Sequence, residues 1–404
     1  MWTLNQKRIS DCDVLNGLTV VFFCLTYIFL GLTDGLLVAR GVDAGNILVR
    51  LKYYLMILTV ACSLLHVVVY KRSNIFWKET KQLSIVVIVF ALISGFEIIT
   101  VGAYTSDVLD SLIKLALPVL LAYGVLNTLT YKQLQISMVV VLGFSIAGYV
   151  CELLFGGFSS VSLSEIDYDT SSSPTESSIF AGISIILCAF YCYYRDNMVL
   201  TCLSTVYAIA TFKRLAVIFA IAFFVIPIFV NPNKKVPSYI RQMMKLIFLC
   251  GTGIYYLLLL PQSGRMFEEL FHQSQDQYTM GRSSFLRTLL SANYQPYGYG
   301  SSAIAIGRSL EMDYLQIALE LTPIALFIFI NVYWNIVGNN LYLTIFMLFQ
   351  SLNFLTSHSL NSNYAWGIAF IFIGMVMHMP SASDCSWTEN NQVKKRLDWK
   401  VDNG

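Results

Sequence analysis

Charge is what this chain has least of. Asp, Glu, Lys and Arg make up 12% of its 404 residues, against 56% apolar residues, whereas a water-soluble domain carries about 25% charge. So little charge cannot cover a folded surface in water, which excludes a soluble globular fold. Strand-like alternation is also missing, which excludes a membrane barrel. Nine cysteines are present, but none lies in a long polar loop. Cys24, Cys62, Cys151, Cys188, Cys192, Cys202 and Cys250 fall inside apolar blocks, and Cys12 and Cys385 in the polar ends. That pattern argues against a disulfide framework and against a thiolate metal site. A glycine-rich loop for phosphates and a basic stripe for nucleic acid are both lacking. So is the internal repeat from which inverted-repeat transporters are built. Finally, Met1 to Asn16 is polar and enters an apolar block without a small-residue cleavage site, so that block reads as a membrane helix that stays in place.

What is present is a series of apolar blocks of about 16 to 23 residues, near the ~20 that a helix needs to cross a hydrocarbon layer. The spans read as 14–32, 51–70, 83–104, 108–130, 134–155, 178–194, 198–212, 215–230, 245–260, 314–333, 341–356 and 364–379, twelve in all. Backbone polar groups in lipid must bond within their own segment, so each is expected to be helical. The expected fold class is an all-α polytopic membrane protein. Residues 1–260 carry spans one to nine with a small outward loop at 156–177, 261–312 form one large loop, 313–380 carry the last three spans, and 381–404 form a tail. Placing the N-terminus in the cytoplasm puts sixteen of the twenty-six Lys and Arg residues on the inner side, as the bias of short loops requires. With twelve spans both termini are then inside.

Ten cations remain outside against that bias: Arg40, Arg50, Lys52, Lys114, Lys213, Arg214, Arg265, Arg282, Arg287 and Arg308. Arginine presents a planar fork of donors that fits phosphate oxygens, so an anionic ligand at that surface is expected. The large loop holds two expected amphipathic helices, Arg265 to Tyr278 and Arg282 to Ala292, then a tight turn Pro296-Tyr297-Gly298-Tyr299-Gly300. After it, Asp313, Gln316 and Glu320 fall within an arc of roughly 60° on one helix face. Glu320 lies about 10 Å deeper than Asp313, and an ionisable group at depth is costly and usually functional. Pro323 is placed to kink that helix. The outward loop Ser357-His358-Ser359-Leu360-Asn361-Ser362-Asn363-Tyr364 is dense in groups that suit sugar hydroxyls, and His358 can act as a base near neutral pH. Glu97 and Lys114 are placed to pair. Asp167 and Asp169 have the spacing of a divalent-ion pair but no supporting pattern, and His66, His272 and His378 lack metal-ligand spacing.

Three of these features resemble the O-antigen polymerase and ligase superfamily: Thr211-Phe212-Lys213-Arg214 opening a mid-chain helix; Arg282-Ser283-Ser284-Phe285-Leu286-Arg287 followed by the Pro296–Gly300 turn; and Asp313-Tyr314-Leu315-Gln316 running through Glu320. The resemblance implies a membrane-embedded, GT-C-like glycosyltransferase in a bacterial inner membrane, with its active site in the periplasm. Donor and acceptor would both be glycans on undecaprenyl pyrophosphate. It implies a chain-length-regulating co-polymerase as partner and contact with membrane lipids, and no cofactor, nucleotide sugar or metal. Ligases of the family carry a histidine–asparagine pair where this chain has Met312-Asp313, which favours polymerase over ligase. On this reading Arg214, Arg282 and Arg287, supported by Arg265 and Lys213, meet the pyrophosphate. Asp313 is the expected base, with Glu320 or His358 as alternatives. Tyr297, Tyr299, Gln316 and Asn361 would contact sugar. An O-antigen ligase, or a transporter or flippase of lipid-linked oligosaccharide, is the competing expectation.

Overall fold

The computed structural model describes residues 2–43, 45–70, 74–155 and 178–379, with side chains from residue 14 onward. The 156–177 loop with Asp167 and Asp169, and the 381–404 tail, lie outside the described residues. The described chain is all-α, with seventeen α-helices. The first nine are α1 (Trp2–Leu32, continued by a π-helical turn Thr33–Val38), α2 (Ile47–Tyr70), α3 (Trp77–Val101), α4 (Ser106–Thr128), α5 (Tyr131–Phe155), α6 (Ile179–Tyr194), α7 (Met198–Ala210), α8 (Arg214–Phe229) and α9 (Ser238–Leu259). Four short helices follow: α10 (Gly264–Phe271), α11 (Gln275–Tyr278), α12 (Arg282–Ser291) and α13 (Ser301–Ile306). The last four are α14 (Asp313–Glu320), α15 (Pro323–Ile336), α16 (Leu341–Thr356) and α17 (Asn363–His378).

Six helices are long and apolar enough to cross a membrane: Val14–Val38, Ile47–Tyr70, Trp77–Val101, Ser106–Thr128, Tyr131–Phe155 and Ser238–Leu259. Their outward faces are as apolar as their inward ones. Leu92, Phe96 and Ile99 of α3, and Leu246 and Ile254 of α9, are exposed, while Leu83, Val86 and Phe90 of α3 and Phe248 of α9 are buried. Apolar surface of that extent has no place in water and is what a bilayer requires. The chain is therefore a multi-pass membrane protein. Six further apolar helices, α6, α7, α8, α15, α16 and α17, are 10–17 residues long, which at about 1.5 Å per residue falls short of a hydrocarbon layer of about 30 Å. Burial accounts for some of this shortness. In α6 and α17 nearly every residue is buried, so neighbouring helices, rather than lipid, are their solvent.

Two expected helices are broken, each for a local reason. The 314–333 segment divides at Leu321 and Thr322, because Pro323 begins a new helix that the Thr322 hydroxyl caps by accepting from the Ala325 N–H at 3.1 Å. The 265–278 segment divides at His272, which takes a left-handed φ of 55°, before Ser274 and Gln277 close a capping box that starts α11. The expected Glu97–Lys114 pair is absent: Lys114 instead holds Asp110 at 2.6 Å one turn away on α4. The seven described cysteines are free thiols.

Side-chain contacts gather the connecting segments into two ends. At one end, here called the mouth, the 261–312 loop meets the end of α3, the starts of α4, α8, α14 and α17, and the end of α16. At the far end, Arg241 donates to the Gly338 carbonyl at 2.6 Å, Lys245 to Asn331 and Asn335 at 2.8 Å each, and His378 lies 3.4 Å from Glu79.

Candidate functional site at the mouth

The site is built around an inserted turn. Gly298 and Gly300 take φ values of 126° and 95°, a region costly for any residue with a Cβ. They are also hemmed in: a Cβ on Gly298 would lie 2.8 Å from Val108 Cγ1, and one on Gly300 would lie 2.7 Å from Ser111 Oγ. Two glycines thus let the loop press its backbone against α3 and α4. Between them the Tyr299 N–H donates to Ser94 Oγ at 3.0 Å, and the Tyr299 ring packs 5.2 Å from that of Phe90. Glu320 holds the turn from the other side. Its Oε2 accepts the Gly300 N–H at 2.6 Å, and its Oε1 accepts from the Ser302 N–H, the Ser302 hydroxyl and Gln316 Nε2 at 2.9, 2.5 and 2.9 Å.

Asp313, at the start of α14, fixes the loop between α16 and α17. Its Oδ2 accepts the Ser359 and Leu360 N–H groups at 2.7 and 2.9 Å and the Ser359 hydroxyl at 3.2 Å. Its Oδ1 lies 3.0 Å from Nδ1 of His358. The carboxylate is buried, whereas a fifth of the His358 side chain is exposed. Burial pushes the imidazole down, but the Asp313 charge beside it, helped by Glu320 and Glu311, outweighs burial and holds His358 above its usual value. A histidine oriented through Nδ1 by a buried carboxylate, with its ring reaching solvent, is arranged for proton transfer.

The cations lie beside this pair. Arg214 opens α8 and donates to Met280 Sδ at 3.3 Å. Arg282 opens α12 and donates to the Thr279 and Thr356 carbonyls at 3.1 and 2.5 Å. Thr356 is two residues from His358, and Met280 is two residues from Arg282. Both arginines are half-buried, and neither has a carboxylate within ion-pair distance among the described residues. Lys213 is the N-cap position of α8. Arg265 and Arg287 are exposed on α10 and α12. Arg308 is turned elsewhere, 3.2 Å from Glu311 and stacked 3.8 Å over the Phe285 ring.

The structure therefore sorts the residues singled out from sequence. Asp313, His358, Arg214 and Arg282 come together. Glu320 and Gln316 are buried and committed to each other and to the turn. The expectation that Tyr299 stacks on sugar does not hold, because its ring is interior and its hydroxyl donates to Asn361 Oδ1 at 3.3 Å. Tyr297 and Asn361 remain half-buried at the mouth. Sequence reading gave no role to Lys52 and none to Asp34, which form a buried ion pair at this same end. The one signal for Lys52 was a cation on the disfavoured side. No protein-family model matches the chain, and no curated protein and no solved structure matches it significantly.

Proposed function

We propose that the chain is a glycosyltransferase that joins lipid-pyrophosphate-linked oligosaccharide repeat units at the outer face of a bacterial inner membrane. The resemblance to O-antigen polymerases supplies the substrate class. The observation that carries the reading is the meeting of Arg214 and Arg282 at the Met280 turn. Each arginine sits in the first turn of a helix, where unpaired N–H groups already make the backbone positive. Arg282 is eased there by the Thr279 and Thr356 carbonyls at the ends of α11 and α16, whereas Arg214, which donates to the Met280 sulfur, is unfavourable until an anion arrives. A pyrophosphate supplies that anion. On this reading the six long and six shorter apolar helices make twelve crossings, both termini are cytoplasmic, and the mouth is periplasmic.

In the proposed reaction the acceptor sugar hydroxyl gives its proton to His358, and its oxygen attacks the anomeric carbon of the donor. The bond from that carbon to the pyrophosphate breaks, and undecaprenyl pyrophosphate leaves with the electron pair. Arg214 and Arg282 meet the charge that grows on the leaving group; removing one such donor costs about 10²–10³ in rate at comparable sites. The base role moves from Asp313 to His358, because the Asp313 carboxylate is buried, its Oδ2 holds the Ser359–Leu360 backbone and its Oδ1 faces the imidazole at 3.0 Å. Asp313 orients the ring and stabilises its charged form. Arg265 and Arg287 are free to guide the anionic substrate in.

The test is the purified full chain in detergent, given lipid-pyrophosphate-linked repeat units extracted from the source cells. A ladder of products spaced by one repeat unit is expected. Intact substrate after prolonged incubation, with transport of that substrate across vesicles instead, would refute the enzyme reading in favour of a flippase. Transfer onto lipid A–core without a ladder would favour a ligase. For topology, a cysteine in place of Arg265 should react with an impermeant maleimide from outside the cell.

A further inference from the structure

A second polar chamber lies at the mouth, apart from the arginines. Lys52, near the start of α2, pairs with Asp34 in the π-helical turn that ends α1. Their side chains are 5% and 18% exposed, so the lysine is enclosed and the carboxylate reaches outward. The Lys52 ammonium lies 5.6 Å from the centre of the Tyr53 ring and 5.9 Å from that of Tyr364. The two rings are themselves 5.4 Å apart. Tyr53 is half-buried, but Tyr364 is 1% exposed and its hydroxyl has no hydrogen-bond partner among the described residues.

Unpaired buried hydroxyls are rare, because each costs the hydration it has lost. The Tyr364 hydroxyl, on a ring that faces an enclosed ion pair, points to a group that a ligand would complete. The turn at Asp34 is held tightly, since a Cβ on Gly35 would fall 2.2 Å from the Gly148 carbonyl oxygen. π-Helical turns of this kind recur at functional sites. The chemistry narrows the ligand. A carboxylate that accepts, an ammonium and phenols that donate, and ring faces for an apolar side match a pyranose, which carries hydroxyls around its rim and C–H groups on its face. A phosphate would be repelled by Asp34.

The chamber also stands next to the proposed chemistry. Tyr364 begins the helix that follows the His358 loop, and the Trp366 indole N–H, half a turn further along, donates to the Ser359 carbonyl at 3.0 Å. Asp313 grips that same Ser359. We propose that Asp34, Lys52, Tyr53 and Tyr364 form the subsite that seats the terminal sugar of the acceptor glycan. This rests on the polymerase reading above. Donor pyrophosphate at Arg214 and Arg282 and acceptor sugar at Asp34 and Lys52 then approach His358 from two sides of one loop.

The experiment separates acceptor from donor. The methyl glycoside of the repeat unit has no pyrophosphate, so it can accept but cannot donate. With it as acceptor and the extracted lipid-linked unit as donor, Asp34→Asn should raise the acceptor KM about tenfold or more, the loss expected for one charge-assisted hydrogen bond. The donor KM should stay unchanged. Tyr364→Phe removes only an unpaired hydroxyl, leaves folding intact, and should raise the acceptor KM severalfold. The double exchange Asp34→Lys with Lys52→Asp keeps an ion pair but inverts its polarity; it should fail to restore the acceptor KM. Restoration by that exchange, or an unchanged acceptor KM in both single variants, overturns the subsite and leaves the polymerase reading standing. Saturation-transfer NMR of the methyl glycoside on the donor-free protein needs no turnover. Signal lost in Asp34→Asn from a protein that makes no polymer would retain the sugar subsite and sink the polymerase.

Discussion

Glu320→Gln separates an anchor from a base. The carboxylate is fully buried and takes four donors from the turn and from α14. Glutamine has nearly the same shape but replaces one acceptor oxygen by an NH₂ group. If the amide nitrogen takes the place of Oε2, it confronts the Gly300 N–H, and two buried donors are stranded. If it takes the place of Oε1, it confronts the Ser302 N–H and Gln316, and more are stranded. At about 1–3 kcal/mol for each stranded group, the milder case costs about 2–6 kcal/mol, comparable with the whole stability of many domains. The inserted turn should therefore leave its slot before the helices separate. Trypsin reports this directly, because exposed Arg287 and Arg308 flank the turn. In Glu320→Gln, cleavage after either arginine should become fast while the long helices stay protected, and thermal unfolding in detergent should begin earlier. A variant with wild-type cleavage and wild-type melting but no polymer would refute this reasoning and return Glu320 to the role of base.

Three further outcomes follow from the same geometry. The neutral His358 imidazole is the active form and its value is raised, so the rate should fall with acid at a pH above the usual histidine range. Asp313→Asn should move that limb to lower pH and lower the plateau about 10²-fold or more, since the ring loses its orienting charge; an unmoved acid limb in a pH–rate profile removes His358 as the base. The linked stability has the matching sign: protonated His358 adds stability below its unfolded value, which fades as pH rises through the raised folded value, so the melting temperature of His358→Gln should approach that of wild type as pH rises. Gly298→Ala should loosen the turn, and adding Val108→Ala should recover part of the melting temperature by clearing the 2.8 Å contact, the remainder reflecting backbone strain at φ 126°.

Much of this fold was legible in the sequence, and the reason is lipid. A bilayer demands apolar blocks with helical backbone, so the blocks were visible; the described residues in them are mainly helical, and six of the helices are long and apolar enough to cross a membrane. Local chemistry was legible as well: Pro323 interrupts the 314–333 segment by opening a new helix, and Gly298 and Gly300 bend the chain, as their types require. The Asp313, Gln316 and Glu320 face was correctly placed on one stripe, yet its roles were not separable there. Helical spacing says which residues share a face but not what that face meets. Glu320 meets backbone N–H groups twenty residues earlier, and Asp313 meets a loop more than forty residues later. The same limit hid Asp34 and Lys52, whose partner Tyr364 is over three hundred residues away. The resemblance put Tyr299 on the sugar, but its flanking glycines let the turn press against α3 and α4 and carry the ring inward.

Arg214 differs from the far-end cations in what its guanidinium meets, and that contrast yields a sign that can be measured. At the far end Arg195 caps the C-terminus of α6 and donates to the Phe224 carbonyl in the last turns of α8, and Arg241 donates to Gly338 just beyond α15. The carbonyls they hold lie toward the negative ends of α8 and α15, where a cation stabilises by about 0.3–1 kcal/mol, and for Arg241 this contact offsets its own place in the first turn of α9. Arg214 and Lys213 instead crowd the positive end of α8, where the same term is unfavourable. Neutralising Arg241 should therefore lower the melting temperature whether or not ligand is present. Arg214→Gln should leave the ligand-free protein as stable as wild type, or slightly more so. Added inorganic pyrophosphate should raise the melting temperature of wild type and of Arg241→Gln, because a ligand that binds only the folded state stabilises it by mass action. It should do little for Arg214→Gln. If Arg214→Gln is instead markedly destabilised without ligand and still responds to pyrophosphate, then Arg214 is a structural cation like those at the far end, and the anion site has to be sought elsewhere on the mouth.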